Sequence, residues 1–207
     1  MKHVSRADRL EVSGDGPVSF RISPINEQSS QVEISIDYSR ADIPNLQYDA
    51  DYATVLKSRT GIVLSFGRLE TGTSKLRSKI EISFTRESFL NQVWHSSRDL
   101  ANTVKRTVAD HTLEPIVPEN LGTVEKTQAF RSNYTYMSVM AQEAALDFYH
   151  LSPGEVHQAR LGKKSEIYLQ AVVRVVCAIS LVQELLTVAE PFAKEIEDAE
   201  NAEYQHR

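Results

Sequence analysis

Two stretches of this 207-residue chain carry the same pattern, and that self-similarity constrains the fold more than any single motif in it. With Tyr52 placed on Tyr134, an offset of 134 − 52 = 82, YATVLKSRTGIVLSFGRLETG and YTYMSVMAQEAALDFYHLSPG align without a gap. Tyr52/Tyr134, Leu64/Leu146, Phe66/Phe148, Leu69/Leu151 and Gly72/Gly154 are identical, and Asp51/Asn133, Val55/Met137 and Ser65/Asp147 are chemically close. Each stretch is followed by a basic connection (Lys75, Arg77, Lys79; then Arg160, Lys163, Lys164), a β-rich run and an amphipathic segment. The pattern predicts one β-β-β-α block used twice in tandem, with antiparallel sheets backed by helices, an α+β protein.

Local signals fill in the elements. Leu10, Val12, Val18, Phe20 and Ile22 flank the turn signal Gly14-Asp15-Gly16-Pro17, which predicts a hairpin. Val32, Ile34, Ile36 and Tyr38 alternate with polar residues as a half-buried strand does. These amino-terminal strands are expected to extend the first sheet. A second hairpin is predicted from Tyr48 onward, closed by Lys57 to Gly61. Lys75, Arg77 and Lys79 alternate with Leu76, Ser78 and Ile80, so the basic side chains share one face, expected to be solvated.

Thr85 can cap the next helix, whose apolar stripe is Phe89, Val93, Leu100 and Val104, with Trp94 beside it. The segment HTLEPIVPENLG reads as a linker. Residues 168 to 177 are predicted as strand, because Val172, Val173, Val175 and Val176 are β-branched. Ser180 and Gln183 suit a capping box for a second helix with the stripe Leu181, Leu185, Val188, Phe192 and Ile196. Pro191 predicts a kink or restart, and the acidic tail EIEDAENAEYQHR opposes the dipole and is expected to fray. The expected division is 1–110 (amino-terminal strands and first unit), 111–129 (linker), 130–196 (second unit) and 197–207 (tail).

A net charge of −5 argues against a protein held to nucleic acid over its whole surface. No apolar stretch follows the early charges of MKHVSRADRL, so neither a secretory signal nor a first span is read there. In the apolar run from Ile167 to Ala189, Gln170, Arg174, Gln183 and Glu184 stand where a membrane would make them costly. A cytoplasmic location is the expectation. The single cysteine, Cys177, lies in VVRVVCAIS and reads as a buried thiol.

There is no Gly-x-Ser-x-Gly, His-Glu-x-x-His, phosphate-binding glycine loop or cysteine pair, so no enzyme and no cofactor are expected. His95, with two serines after it, sits on a helix committed to packing. His150, Glu155 and His157 lack a fourth metal ligand. The aromatic pairs Tyr52/Tyr134 and Phe66/Phe148 read as core. Met137 and Met140 offer adaptable apolar surface, useful for binding varied partners and also common in cores. The basic groups Lys75, Arg77, Lys79, Arg160, Lys163 and Lys164 are candidates for anion or nucleic-acid binding, though they also solubilise hairpins.

The residues Asn133, Tyr134, Leu146, Asp147, Phe148, Pro153, Gly154, Arg174, Val175 and Val176 resemble the pattern of a small bacterial β-β-β-α family with no established activity. The match covers about sixty residues of the second copy; the first keeps Tyr52, Leu64, Phe66 and Gly72 but has Asp51, Ser65 and Thr71 at the asparagine, aspartate and proline positions. At the level of architecture the chain is similar to the SecB-like export and antitoxin chaperones, whose apolar grooves hold unfolded clients. That resemblance implies a non-catalytic binding protein with a protein client or partner, a homo-oligomer or a subunit of a complex. On this view Trp94, Tyr136, Met137 and Met140 border the groove. The alternative is a structural subunit of a larger assembly, such as an anti-phage or nucleic-acid-associated one, using its basic hairpins.

Overall fold

A computed structural model describes residues 10–13, 16–24, 30–97, 124, 126–161, 163 and 167–205. The protein is mixed α+β and divides into two compact units, Met1–Asp42 with Leu151–Ala171, and Ile43–His150 with Val172–Arg207.

In the first unit β1 (Leu10–Ser13), β2 (Val18–Pro24) and β3 (Ser30–Ile36) form an antiparallel meander, with Val12 opposite Phe20 and Phe20 opposite Ile34. The amino-terminal strands thus make a sheet of their own, where they were expected to extend the sheet that begins after Tyr48. The strand predicted through Tyr38 stops at Ile36 because Asp37 turns the chain, its Oδ1 accepting from Ser39 N (3.1 Å) and Ser39 Oγ (2.6 Å). These bonds, Ser39 Oγ first, hold the Asp37 carboxyl below the usual carboxylate range.

The second unit holds two four-stranded sheets. One runs β5 (Tyr52–Lys57), β6 (Ile62–Leu69), β7 (Leu76–Phe84), β8 (Thr127–Arg131); β5, β6 and β7 are antiparallel neighbours and β8 is parallel to β7. The other runs β4 (Gln47–Ala50), β11 (Leu169–Ala178), β10 (Glu143–Leu151), β9 (Tyr134–Met140), with β9 and β10 antiparallel and β4 parallel to β11. Both sheets are therefore mixed, where antiparallel ones were expected, because β4 and β8 join them in parallel. In each, the fourth strand comes from just before the other sheet's first hairpin.

The reading of Tyr48 onward as one run fails at Asp51, and the physical reason is local. Asp51 N donates to Gly67 O (2.9 Å) and its Oδ2 accepts from Leu69 N (3.2 Å), so the chain leaves one sheet at Ala50 and enters the other at Tyr52. Ser132 and Asn133 make the same passage between β8 and β9, with Asn133 N donating to Tyr149 O (3.1 Å) and Ser132 N to Ser83 O (3.0 Å). The predicted linker thus runs into β8, whose first residue is Thr127.

Period-2 alternation sends Ala53, Val55, Leu64, Phe66, Ile80, Ile82 and Phe84 from one sheet, and Ala144, Leu146, Phe148, Val173, Val175 and Cys177 from the other, into one shared core. Phe148 meets Phe66 at 5.9 Å and Phe84 at 6.0 Å between ring centroids, tilted by 57° and 59°, an arrangement that adds about 0.5–1.5 kcal/mol per pair to the burial itself. Burial pushes the Cys177 thiol up to about 12.

Thr85 caps α1 as its sequence position implies, accepting from Ser88 N at 3.1 Å. Helix α1 opens as Arg86–Ser88 and widens into π turns over Phe89–Trp94, burying Phe89, Leu90, Val93 and Trp94. Leu100 and Val104 lie outside the described residues. The short helix α2 (Pro153–Arg160) starts on a proline, where no backbone donor is missed.

Residues 169–178 are strand, as β-branching predicted, and α3 (Ile179–Gln205) begins at once, so Ser180 stands inside the helix and forms no capping box. Leu181, Leu185 and Ile196 are buried and Phe192 packs on the core. Val188 is exposed and Ala189 and Ala193 take the inner positions. The helix passes through Pro191 and continues over the acidic residues expected to fray. Helix α3 packs on β5, and the π turns of α1 pack on β9 and on α3. Lys57 of β5 and Glu195 of α3 form an ion pair that lowers the Glu195 carboxyl pKa.

Candidate partner-binding surface

Strand β9 ends its sheet, and its alternation decides which side chains reach solvent. Thr135 is buried and Met137 packs against the core, so odd positions face inward; Tyr136 and Met140, 42% and 82% exposed, stand on the opposite face. Val139, near the strand's end, is also partly open. Of the four residues expected to border a groove, the fold thus brings Tyr136 and Met140 together on one face and puts Met137 on the other. Trp94 is 7% exposed and belongs to the core: its place in α1 follows the buried stripe of Phe89, Leu90 and Val93, so it offers no docking surface.

Towards the middle of the same outer face, Asp147 on β10 lies directly opposite Tyr136, and Arg174 of the neighbouring β11 reaches it with Nε to Oδ1 and Nη2 to Oδ2, both at 2.6 Å. Asp147 is 2% exposed and the Arg174 side chain 24%. The Asp147 bonds raise the Arg174 pKa above its usual value, outweighing partial burial. Such a fork fixes the β10–β11 register from the side away from the core. The pairing is legible in sequence as a lone charge within each of two apolar runs, LDF and VVRVV, since buried strands tolerate such charges only in pairs.

The basic groups divide. Lys75 and Arg77 are exposed at the start of β7, whereas Lys79, expected on the same wet face, is buried and paired with Glu81 at 2.9 Å, because its part of β7 lies between β6 and β8. Lys79 is therefore not an available anion ligand. Arg160 and Lys163 are exposed in the other unit, and Lys164 lies outside the described residues.

His95 stands on α1 with its Nε2 3.8 Å from Glu197 of α3, a helix-to-helix contact. His150 is the penultimate residue of β10, its Nδ1 buried without a hydrogen-bond partner among the described residues; burial first, then Arg131, hold its pKa below the ordinary imidazole value and favour the neutral ring. His157 is exposed on α2. Among the described residues no cluster of three or more His, Cys, Asp or Glu has metal-binding geometry, and no helix is long and apolar enough to cross a membrane. No family model, curated protein or solved structure matches the chain.

Proposed function

We propose that this chain is a non-catalytic protein-binding protein, a SecB-like holdase that keeps an unfolded client or cognate partner from aggregating. The observation that carries the reading is the outer face of β9, where Tyr136 and Met140 present aromatic and thioether surface to solvent beside an uncharged strand. Flexible, polarisable side chains of this kind adapt to clients of varied shape. The wider architecture supports it. The chain reads as two tandem β-β-β-α units that exchange strands: Asp51 N to Gly67 O and Asn133 N to Tyr149 O are one bond made twice, since 133 − 51 = 82 and 149 − 67 = 82. Each unit's helix lies on the first strand of the other's hairpin, α1 on β9 and α3 on β5.

The test is aggregation of an unrelated unfolding protein, followed by light scattering without nucleotide. Near-stoichiometric suppression, weakened several-fold in Tyr136→Ser/Met140→Ser, is expected. Lack of suppression, together with salt-sensitive nucleic-acid binding lost on reversing Lys75, Arg77, Lys163 and Lys164, would replace this reading with the assembly-subunit alternative.

A further inference from the structure

Four strands end the two four-stranded sheets: β4, β5, β8 and β9. Three of these edges carry charge. Asp49 on β4 pairs with Arg68 at 3.4 Å, Lys57 on β5 pairs with Glu195, and β8 ends in Arg131. Strand β9 differs, for Asn133 to Gln142 reads NYTYMSVMAQ, ten residues with no charge, no proline and no glycine. Edges that stay bare in solution are normally blunted by such residues, because unpaired N–H and C=O groups recruit further strands.

The register says which backbone groups are open. The two-residue turn Ala141-Gln142 closes on Met140 opposite Glu143, so Met140, Ser138, Tyr136 and Tyr134 are the positions bonded to β10. Thr135, Met137 and Val139 turn their N–H and C=O groups outward, where no described residue pairs with them.

We infer that this edge pairs with β9 of a second copy, antiparallel about a two-fold axis at Met137. In that register Met137 faces itself and Thr135 faces Val139 of the second copy, so each outward donor and acceptor is satisfied, six inter-chain bonds in all by the antiparallel alternation. Side chains match as well: Tyr136 lies opposite Ser138 and Tyr134 opposite Met140, hydroxyl by hydroxyl and ring by thioether, with no charge set against a like charge. The two four-stranded sheets become one of eight strands whose outer face carries both copies of Tyr136 and Met140. The dimer stands independently of the holdase reading, since a dimer without client binding, or the reverse, is directly observable.

Analytical ultracentrifugation of the full chain tests this. A species of twice 23.3 kDa is expected, shifted to monomer by Met137→Pro, which deletes the central outward donors and leaves the bonds to β10 intact. Met137→Cys should link two chains on mild oxidation, since facing residues of a bonded pair lie about 5.5 Å apart at Cα, within disulfide reach. Buried Cys177 gives no background. Tyr136→Cys should not self-link but should link to Ser138→Cys on mixing. A monomer at all concentrations, a dimer that Met137→Cys fails to link, or client peptide held at β9 by a monomer would each overturn the inference.

Discussion

The sheet of β5 to β8 and the sheet of β4 and β9 to β11 share a layout and differ in chemistry on their outer faces. At the central strand one has Ser65 where the other has Asp147; the first sheet keeps its buried charge within a strand, Lys79 beside Glu81, while the second ties two strands together through Asp147 and Arg174. Their hairpins differ too. The β5–β6 loop ends on Gly61, where a Cβ would lie 1.9 Å from Phe84 O, so glycine is obligatory; the β9–β10 turn is made by Ala141 and Gln142. The inward faces set the shared geometry, and the outer faces are free to diverge in register control.

The largest expected effects test the shared half of that statement. Phe66→Ala and Phe148→Ala remove fully buried rings and should each cost about 3–5 kcal/mol in denaturant unfolding. Because the rings touch, the double variant should fall short of additivity by about 1 kcal/mol; strict additivity would mean the two sheets do not share a core there. The divergent half is tested next. Asp147→Ala leaves the part-buried Arg174 guanidinium without its partner and should cost about 3 kcal/mol, the low end for a broken buried pair, whereas Ser65→Ala, 82 residues earlier in the matching strand, should cost less than about 1 kcal/mol. Similar losses at both sites would erase the contrast.

Much of the core was legible in the sequence, because alternation in β6, β7 and β10 and the β-branched run of β11 report burial through local periodicity. What escaped was set by distant partners. That Gln47–Ala50 and Thr127–Arg131 are lent to the opposite sheets depends on parallel pairing with β11 and β7, about 130 and 50 residues away in sequence, and no local propensity encodes a parallel neighbour. The chaperone resemblance implies a groove-side Trp94, but the π turns of Phe89–Trp94 bring a wide arc of residues inward and Trp94 with them. Alternation gives the face of a strand and not what covers it, so it predicts a solvated Lys79 where the structure buries it.

The smallest prediction concerns the turn that delivers β9 to β10. Ala141 has φ of 54°, the one non-glycine residue in the left-handed region among those described, and its Cβ there costs about 1–2 kcal/mol. Replacing it with glycine removes that strain but adds unfolded-state freedom worth about 0.5–1 kcal/mol, so Ala141→Gly should stabilise by a net of about 0.5 kcal/mol. For a chain of this length that raises Tm by about 1–2 °C. The opposite change at the other hairpin, Gly61→Ala, should be strongly destabilising, since the carbonyl it would strike belongs to the backbone. If Ala141→Gly instead lowers Tm, the turn is held by contacts that its alanine methyl makes, and the two hairpins would be alike in needing their particular residue.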